Sequence, residues 1–128
     1  MKFIISIIAA LVLIVSCKKK VVEAPVTASI SISSIFENDT VQSNAALHLT
    51  GTITGSDEMH GYTVTFTNLT TGNPVFSKVY DVHSASYSID ETWTNNVSDT
   101  ATVQLKIVVE KDHDGNLETK TINVVCLP

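Results

Sequence analysis

Hydrophobic residues follow two different patterns, and the change between them divides the chain near residue 26. Residues 3–15 form an apolar run that only Ser6 interrupts, and Met1 and Lys2 precede it. As a helix this run would be about 20 Å long, which is too short for a hydrocarbon core of about 30 Å. A short positive start followed by such a run is typical of a cleaved secretory signal peptide.

From Val26 onward, apolar and polar residues alternate, and no window has the spacing of an amphipathic helix. The alternation is clearest at 46–54 and 100–110, where one face of each segment would be apolar and the other wet. This pattern predicts an all-β domain. Its seven strands are expected at about 27–35, 46–54, 61–68, 75–80, 84–92, 100–110 and 118–126.

Turn sequences separate the predicted strands. Residues 70–74 (Thr-Thr-Gly-Asn-Pro) and 112–116 (Asp-His-Asp-Gly-Asn) carry the Gly and Asn that hairpin turns need where φ is positive. Seven short strands in about 100 residues predict a seven-stranded immunoglobulin-like β-sandwich. The Cys, Trp and Cys signature of antibody domains is missing, and Trp93 comes at the very end of the fifth predicted strand.

Residues 14–17, Ile-Val-Ser-Cys, resemble the lipobox of bacterial lipoproteins. The resemblance implies that Cys17 is diacylated, that the chain is cut before it, and that the new N-terminus is acylated. Three acyl chains would anchor the protein firmly to a bilayer. We therefore expect a lipoprotein signal peptide at 1–16, a lipidated cysteine and tether at 17–25, and the immunoglobulin-like domain at 26–128. The alternative is an ordinary secretory signal followed by a chance cysteine.

The expected domain is strongly acidic. From Val26 onward it has four lysines, no arginine and twelve carboxylates, which gives a net charge of −8 with neutral histidines. Nucleic acid is excluded as a partner because phosphate backbones require clustered Lys and Arg. An acidic surface would instead attract cations. The three lysines at 18–20 belong to the tether and would favour anionic headgroups by about 1 kcal/mol each.

The lipobox, the three lysines, the tether, one immunoglobulin-like domain and the 112–116 turn together resemble small lipoproteins of unknown function from Bacteroidetes-type bacteria. The resemblance covers the whole chain. It implies a position in the cell envelope, lipid-anchored in the outer membrane, but no activity. Lysines rather than acidic residues follow Cys17, which favours the periplasmic face.

Three histidines occupy connections that would meet at one end of such a sandwich. His60 precedes the third predicted strand, His83 lies between the fourth and fifth, and His113 lies in the last turn. Neutral imidazoles bind Zn²⁺ and Cu²⁺, so the three residues predict a metal site. The alternative is three loop residues too far apart to share an ion. His48 is expected at the opposite end, outside the site. Carboxylates expected near the three rings are Asp81, Asp112 and Asp114, with Asp57 and Glu58 also close by.

Other residues leave further alternatives open. Cys126 is in step with core positions, and it is expected to be a small core residue, an intermolecular disulfide partner or a metal ligand. Thr40 and Thr100 follow aspartates in a sequence that resembles the O-glycosylation sequence of Bacteroidetes-type exported proteins. Asp112, Asp114 and Asn116 could supply oxygen ligands for a calcium ion in the 112–116 turn, although the turn lacks the EF-hand pattern.

No sequence motif indicates catalysis. A Gly-x-Ser-x-Gly elbow and a phosphate-binding glycine loop are both missing, which favours a non-enzymatic protein. Two functions follow. The first is a membrane-anchored envelope lipoprotein that acts as a binding or assembly module, with a possible envelope protein as partner. The second is a transition-metal lipoprotein that holds Zn or Cu at the histidines.

Overall fold

The structure, a computed structural model, describes residues 21–128. The predicted signal peptide, the lipidation of Cys17 and the lysines at 18–20 lie outside these residues. The described chain is all-β, which confirms the predicted fold class. It has eight strands: β1 (Ala28–Ile32), β2 (Thr40–Val41), β3 (Ala46–Met59), β4 (Gly61–Asn68), β5 (Asn73–Tyr80), β6 (Ser84–Thr94), β7 (Ala101–Glu110) and β8 (Leu117–Cys126).

The strands form two sheets that pack as an immunoglobulin-like sandwich. The first sheet has the order β1-β3-β6, and the second has the order β2-β8-β7-β4-β5. All neighbouring strands are antiparallel except β2, which runs parallel to β8. Gly72 and Gly115 adopt φ of 74° and 80° in the two predicted hairpin turns.

The core lies between the sheets and is built from alternate residues of each strand. In β7, Val103, Leu105 and Ile107 are fully buried, whereas Gln104 between them is half-buried and Lys106 is exposed. Phe66 of β4 stacks on Trp93 of β6 across the sandwich, with ring centroids 5.5 Å apart. Each buried large apolar side chain stabilises the fold by about 1.5–3 kcal/mol. Because apolar residues at every second position lie on one face of a strand, burying that face requires a second sheet to cover it.

The predicted strand count of seven was wrong because β2 was missed. β2 has only two residues, too few to carry a hydrophobic period. Backbone hydrogen bonds define it: Val125 N–H donates to the Asp39 carbonyl at 2.8 Å, and Leu127 N–H donates to the Val41 carbonyl at 2.9 Å. β3 also extends five residues beyond the predicted end at Thr54, through an irregularity in its pairing with β6.

Two buried polar residues join separate parts of the sandwich. Asn95 is fully buried, and its side-chain amide donates to the carbonyls of Val41, Gln42 and Leu127 at 3.1, 3.0 and 2.8 Å. Glu91 of β6 is 6% exposed and pairs with Lys78 Nζ of β5 at 3.3 Å, across the open side between the sheets. Within the described chain, every buried side-chain polar atom has a hydrogen-bond partner.

Candidate metal centre

Three connections meet at one end of the sandwich, which we call the histidine end. The β3–β4 connection is His60 alone, the β5–β6 connection is 81–83, and the β7–β8 turn is 111–116. Each connection contributes one histidine. The far end holds the β6–β7 connection at 95–100 and the last residues of β8.

His60 lies at the corner where the chain passes from one sheet to the other. Met59 pairs with Ser84 in the three-stranded sheet, and Gly61 pairs with Glu110 in the five-stranded sheet. The backbone N–H of His60 donates to the Glu110 carbonyl at 2.8 Å. Gly61 makes the passage feasible because its φ is +131° and any Cβ there would clash with the Tyr80 carbonyl oxygen.

His83 faces His60 because the β3–β6 register brings them together. Since Met59 pairs with Ser84, the next position outward sets His60 opposite His83, and their ring centroids are 4.4 Å apart. The hydroxyl of Tyr87 lies 2.6 Å from the Val82 carbonyl and 3.0 Å from the Met59 carbonyl, which fastens the β5–β6 connection to the end of β3. Burial raises the pKa of Tyr87, so this hydroxyl stays protonated as a donor.

His113 is presented by a turn that Asp112 organises. Asp112 Oδ1 accepts hydrogen bonds from the backbone N–H groups of Asp114 (3.0 Å) and Asn116 (3.2 Å), and Oδ2 accepts one from Asn116 Nδ2 (2.8 Å). These bonds, above all the one from the Asn116 side chain, lower the pKa of Asp112. The His113 ring lies 3.7 Å from that of His60 and 6.1 Å from that of His83, measured between centroids.

The separations between the three rings lie on either side of the spacing in a tris-imidazole metal site. Three nitrogens at about 2.0–2.1 Å from a tetrahedral ion would hold the ring centres about 5 Å apart. The observed separations are 3.7, 4.4 and 6.1 Å. Among residues 21–128, however, no group of three or more His, Cys, Asp or Glu side chains is placed so that it could hold a metal ion. The rings would have to turn to converge, which their partial exposure allows.

One carboxylate contacts the histidines directly. Glu58 Oε1 lies 3.5 Å from His83 Nδ1, and the Glu58 side chain is 63% exposed. Histidines that bind metals usually donate their second ring N–H to a carboxylate, which fixes the tautomer and orients the ring. A Glu58 contact at Nδ1 would leave Nε2 of His83 as the ligand nitrogen. Sequence reasoning named Glu58 only as a neighbour, because no pattern distinguishes it from Asp57.

The three carboxylates predicted as support have different surroundings. Both oxygens of Asp112 accept hydrogen bonds within its own turn, and these bonds are sufficient to hold the turn in its conformation. Asp114 is exposed in the same turn. Asp81 is exposed and lines a groove of about 440 Å³ beside His60, on the outer face of the five-stranded sheet. Other lining residues of this groove are Thr63, Val79, Val108, Glu110 and Leu117.

The remaining predicted residues lie away from the histidine end. His48 is exposed and its Nδ1 lies 3.0 Å from Thr92 Oγ1, so it is outside the cluster as expected. Cys126 is fully buried beside β2 and β7, which matches a small core residue. Thr40 and Thr100 are exposed. Their glycosylation stays a prediction.

A scan against models of known protein families finds no match to this chain, and a search of curated proteins finds none either. Among residues 21–128, no helix is long and apolar enough to cross a membrane.

Proposed function

We propose that this protein is a lipid-anchored envelope lipoprotein whose immunoglobulin-like domain binds a divalent transition-metal ion through His60, His83 and His113. The proposed anchor is Cys17, on the strength of its lipobox. The proposed role is non-enzymatic: the domain holds the ion at the membrane for delivery or for sensing.

A single observation carries the metal proposal. Three residues that are far apart in sequence bring their imidazoles within 3.7–6.1 Å of one another at one exposed end of the domain. Three of the four histidines in the 128 residues are therefore neighbours in space. The surrounding carboxylates add a negative field that attracts cations.

The chemistry favours zinc or copper(II). Imidazole nitrogen is a good ligand for Zn²⁺ and Cu²⁺, and three imidazoles leave a fourth position to water, to a carboxylate or to a partner. The three proposed ligands include no sulfur, which disfavours Cu⁺ because that ion prefers sulfur ligands. Partly exposed rings on separate connections would also allow the ion to exchange.

The test is a zinc titration of residues 21–128 produced without a histidine tag. An ion that binds only the native state at 100 times its Kd adds about 2.7 kcal/mol to the free energy of unfolding. For a domain of about 100 residues, we expect Tm to rise by about 10 °C or more. Calorimetry should give one ion per chain, and the same titration with Cu²⁺ should also raise Tm.

The fourth histidine supplies a matched control. His113→Ala should abolish most of the Tm shift, whereas His48→Ala should leave it unchanged because His48 lies outside the cluster. The metal proposal fails if neither ion raises Tm, or if His113→Ala retains the full shift.

The anchor is tested separately in cells. Cys17→Ala should release the protein from the membrane fraction, and the parent chain should incorporate labelled fatty acid. A parent chain that incorporates no label contradicts the lipoprotein proposal.

A second candidate function is binding or assembly with an envelope protein without a metal ion. The groove beside His60 favours it, because Val79 and Leu117 in its lining are 69% and 56% exposed. This function predicts that the zinc titration leaves Tm unchanged, while substitution of Val79 by Asp abolishes capture of the partner without unfolding the domain.

A further inference from the structure

The chain enters the sandwich at the histidine end. The backbone N–H of Thr27 donates to Ser56 Oγ at 3.0 Å, and the Ser56 N–H donates to the Thr27 carbonyl at 2.9 Å. Ala28 then opens β1 by pairing with Gly55 of β3. Ser56 precedes His60 by four residues, so the first strand begins within about 14 Å of His60.

The far end lies well away from this entry point. β3 runs nine residues from Gly55 back to Ala46, which is about 30 Å at the usual rise per residue. Ala46 pairs with Thr94, and Cys126 at the end of β8 pairs with Ala101. The last strand therefore ends at the opposite end from the one where the first strand begins.

We infer that the histidine end faces the membrane surface and that the far end points away from it. This inference rests on the proposed anchor at Cys17, and it deepens the proposed metal function by giving the site an orientation. The nine residues 18–26 join Cys17 to Thr27. Nine residues span at most about 30 Å even when fully extended.

The residues near the entry point fit a position at a lipid surface. Val21 and Val22 leave 87% and 91% of their side chains exposed, and they follow the three lysines at 18–20. Lysines favour anionic headgroups, and exposed apolar side chains favour the interfacial layer. The domain itself would stand off from the headgroups, because its histidine end is acidic. The carboxylates there are Asp57, Glu58, Asp81, Glu110, Asp112 and Asp114.

This orientation restricts the partners that can reach the ion. The histidines would lie in the gap between the domain and the bilayer, within the length of the tether. A partner that takes up or delivers the ion would therefore have to approach close to the bilayer. A soluble partner that approaches the far end would meet a surface about 30 Å from the site.

The test measures which end of the domain is nearer the lipid. The full chain is produced with its own signal sequence, so that Cys17 is acylated, and is reconstituted in vesicles of phosphatidylethanolamine and phosphatidylglycerol with a rhodamine-labelled lipid as energy acceptor. A donor dye is attached to Asp114→Cys at the histidine end or to Asn96→Cys at the far end. Cys126 is buried and should remain unlabelled.

We expect several-fold more energy transfer from the dye at residue 114 than from the dye at residue 96. Asp57→Cys and Asp99→Cys provide a second pair of positions if either first variant fails to fold. Equal transfer, stronger transfer from the far end, or a protein that leaves the vesicles would each overturn the inference. No metal is present, so failure here is separate from failure of the zinc titration.

Discussion

The buried amide of Asn95 makes a quantitative prediction about stability. In Asn95→Ala, the Leu127 carbonyl and the Val97 N–H lose their bonds to the Asn95 side chain. The Val41 carbonyl still accepts from Leu127 N–H. Two orphaned, half-buried polar groups and a small cavity should together cost about 2–4 kcal/mol. This is a large part of a typical stability of about 5–15 kcal/mol, and Tm should fall by about 10–20 °C.

Denaturant unfolding followed by far-ultraviolet circular dichroism measures this loss, and fluorescence of the single Trp93 provides a second probe. Asn96→Ala is the matched control, because Asn96 is exposed and adjacent. It should change stability by less than about 0.5 kcal/mol. Asn95→Asp should be worse than Asn95→Ala, because it would direct a carboxylate at three carbonyl oxygens. The reasoning is refuted if Asn95→Ala costs no more than Asn96→Ala.

Three further predictions concern single side chains. Glu58→Gln should weaken zinc binding about 10–100-fold by releasing the His83 ring, while Asp114→Asn, with the same change of charge, should have little effect in the same calorimetric titration. Burial raises the pKa of Cys126, so a thiol reagent at pH 8 should modify it only after denaturant unfolds the chain; rapid reaction of the native protein would contradict its buried position. Hydrogen bonds from the backbone and side chain of Asn123 lower the pKa of Glu37, so its stabilising effect is present at neutral pH and is lost as pH falls through the folded-state value. Glu37→Gln should therefore be less stable than the parent at pH 7, and the gap in urea melts should narrow as the pH is lowered into the acid range; a gap that does not change with pH would argue against this linkage.

Periodicity was sufficient to predict the layers of the sandwich. Burial of one face of β3 or β7 requires an apolar residue at every second position, and that requirement is visible in the sequence at Leu47, Leu49 and Ile53. The order of the strands then determines which connections meet. For this reason the gathering of His60, His83 and His113 could be predicted before any coordinates.

The features that the sequence did not reveal depend on polar contacts between distant residues. Asn95 and Glu91 are polar, so the hydrophobic pattern predicts that both are exposed. Asn95 is buried because its amide donates to three carbonyls, and Glu91 is buried because it pairs with Lys78. The extension of β3 through Asp57 and Glu58 was missed because neither residue continues the alternation. The role of Glu58 beside His83 follows from a distance, which no spacing in the sequence encodes.

The one-residue corner at His60 has a consequence for anyone who redesigns this end of the domain. It has no length to vary, because insertion of even one residue would disturb the pairing of both Met59 and Gly61. Loop grafting in the manner of antibody engineering is therefore restricted to 81–83 and 111–116, where the exposed backbone tolerates added residues. New specificity would have to be built from two variable loops around one fixed imidazole.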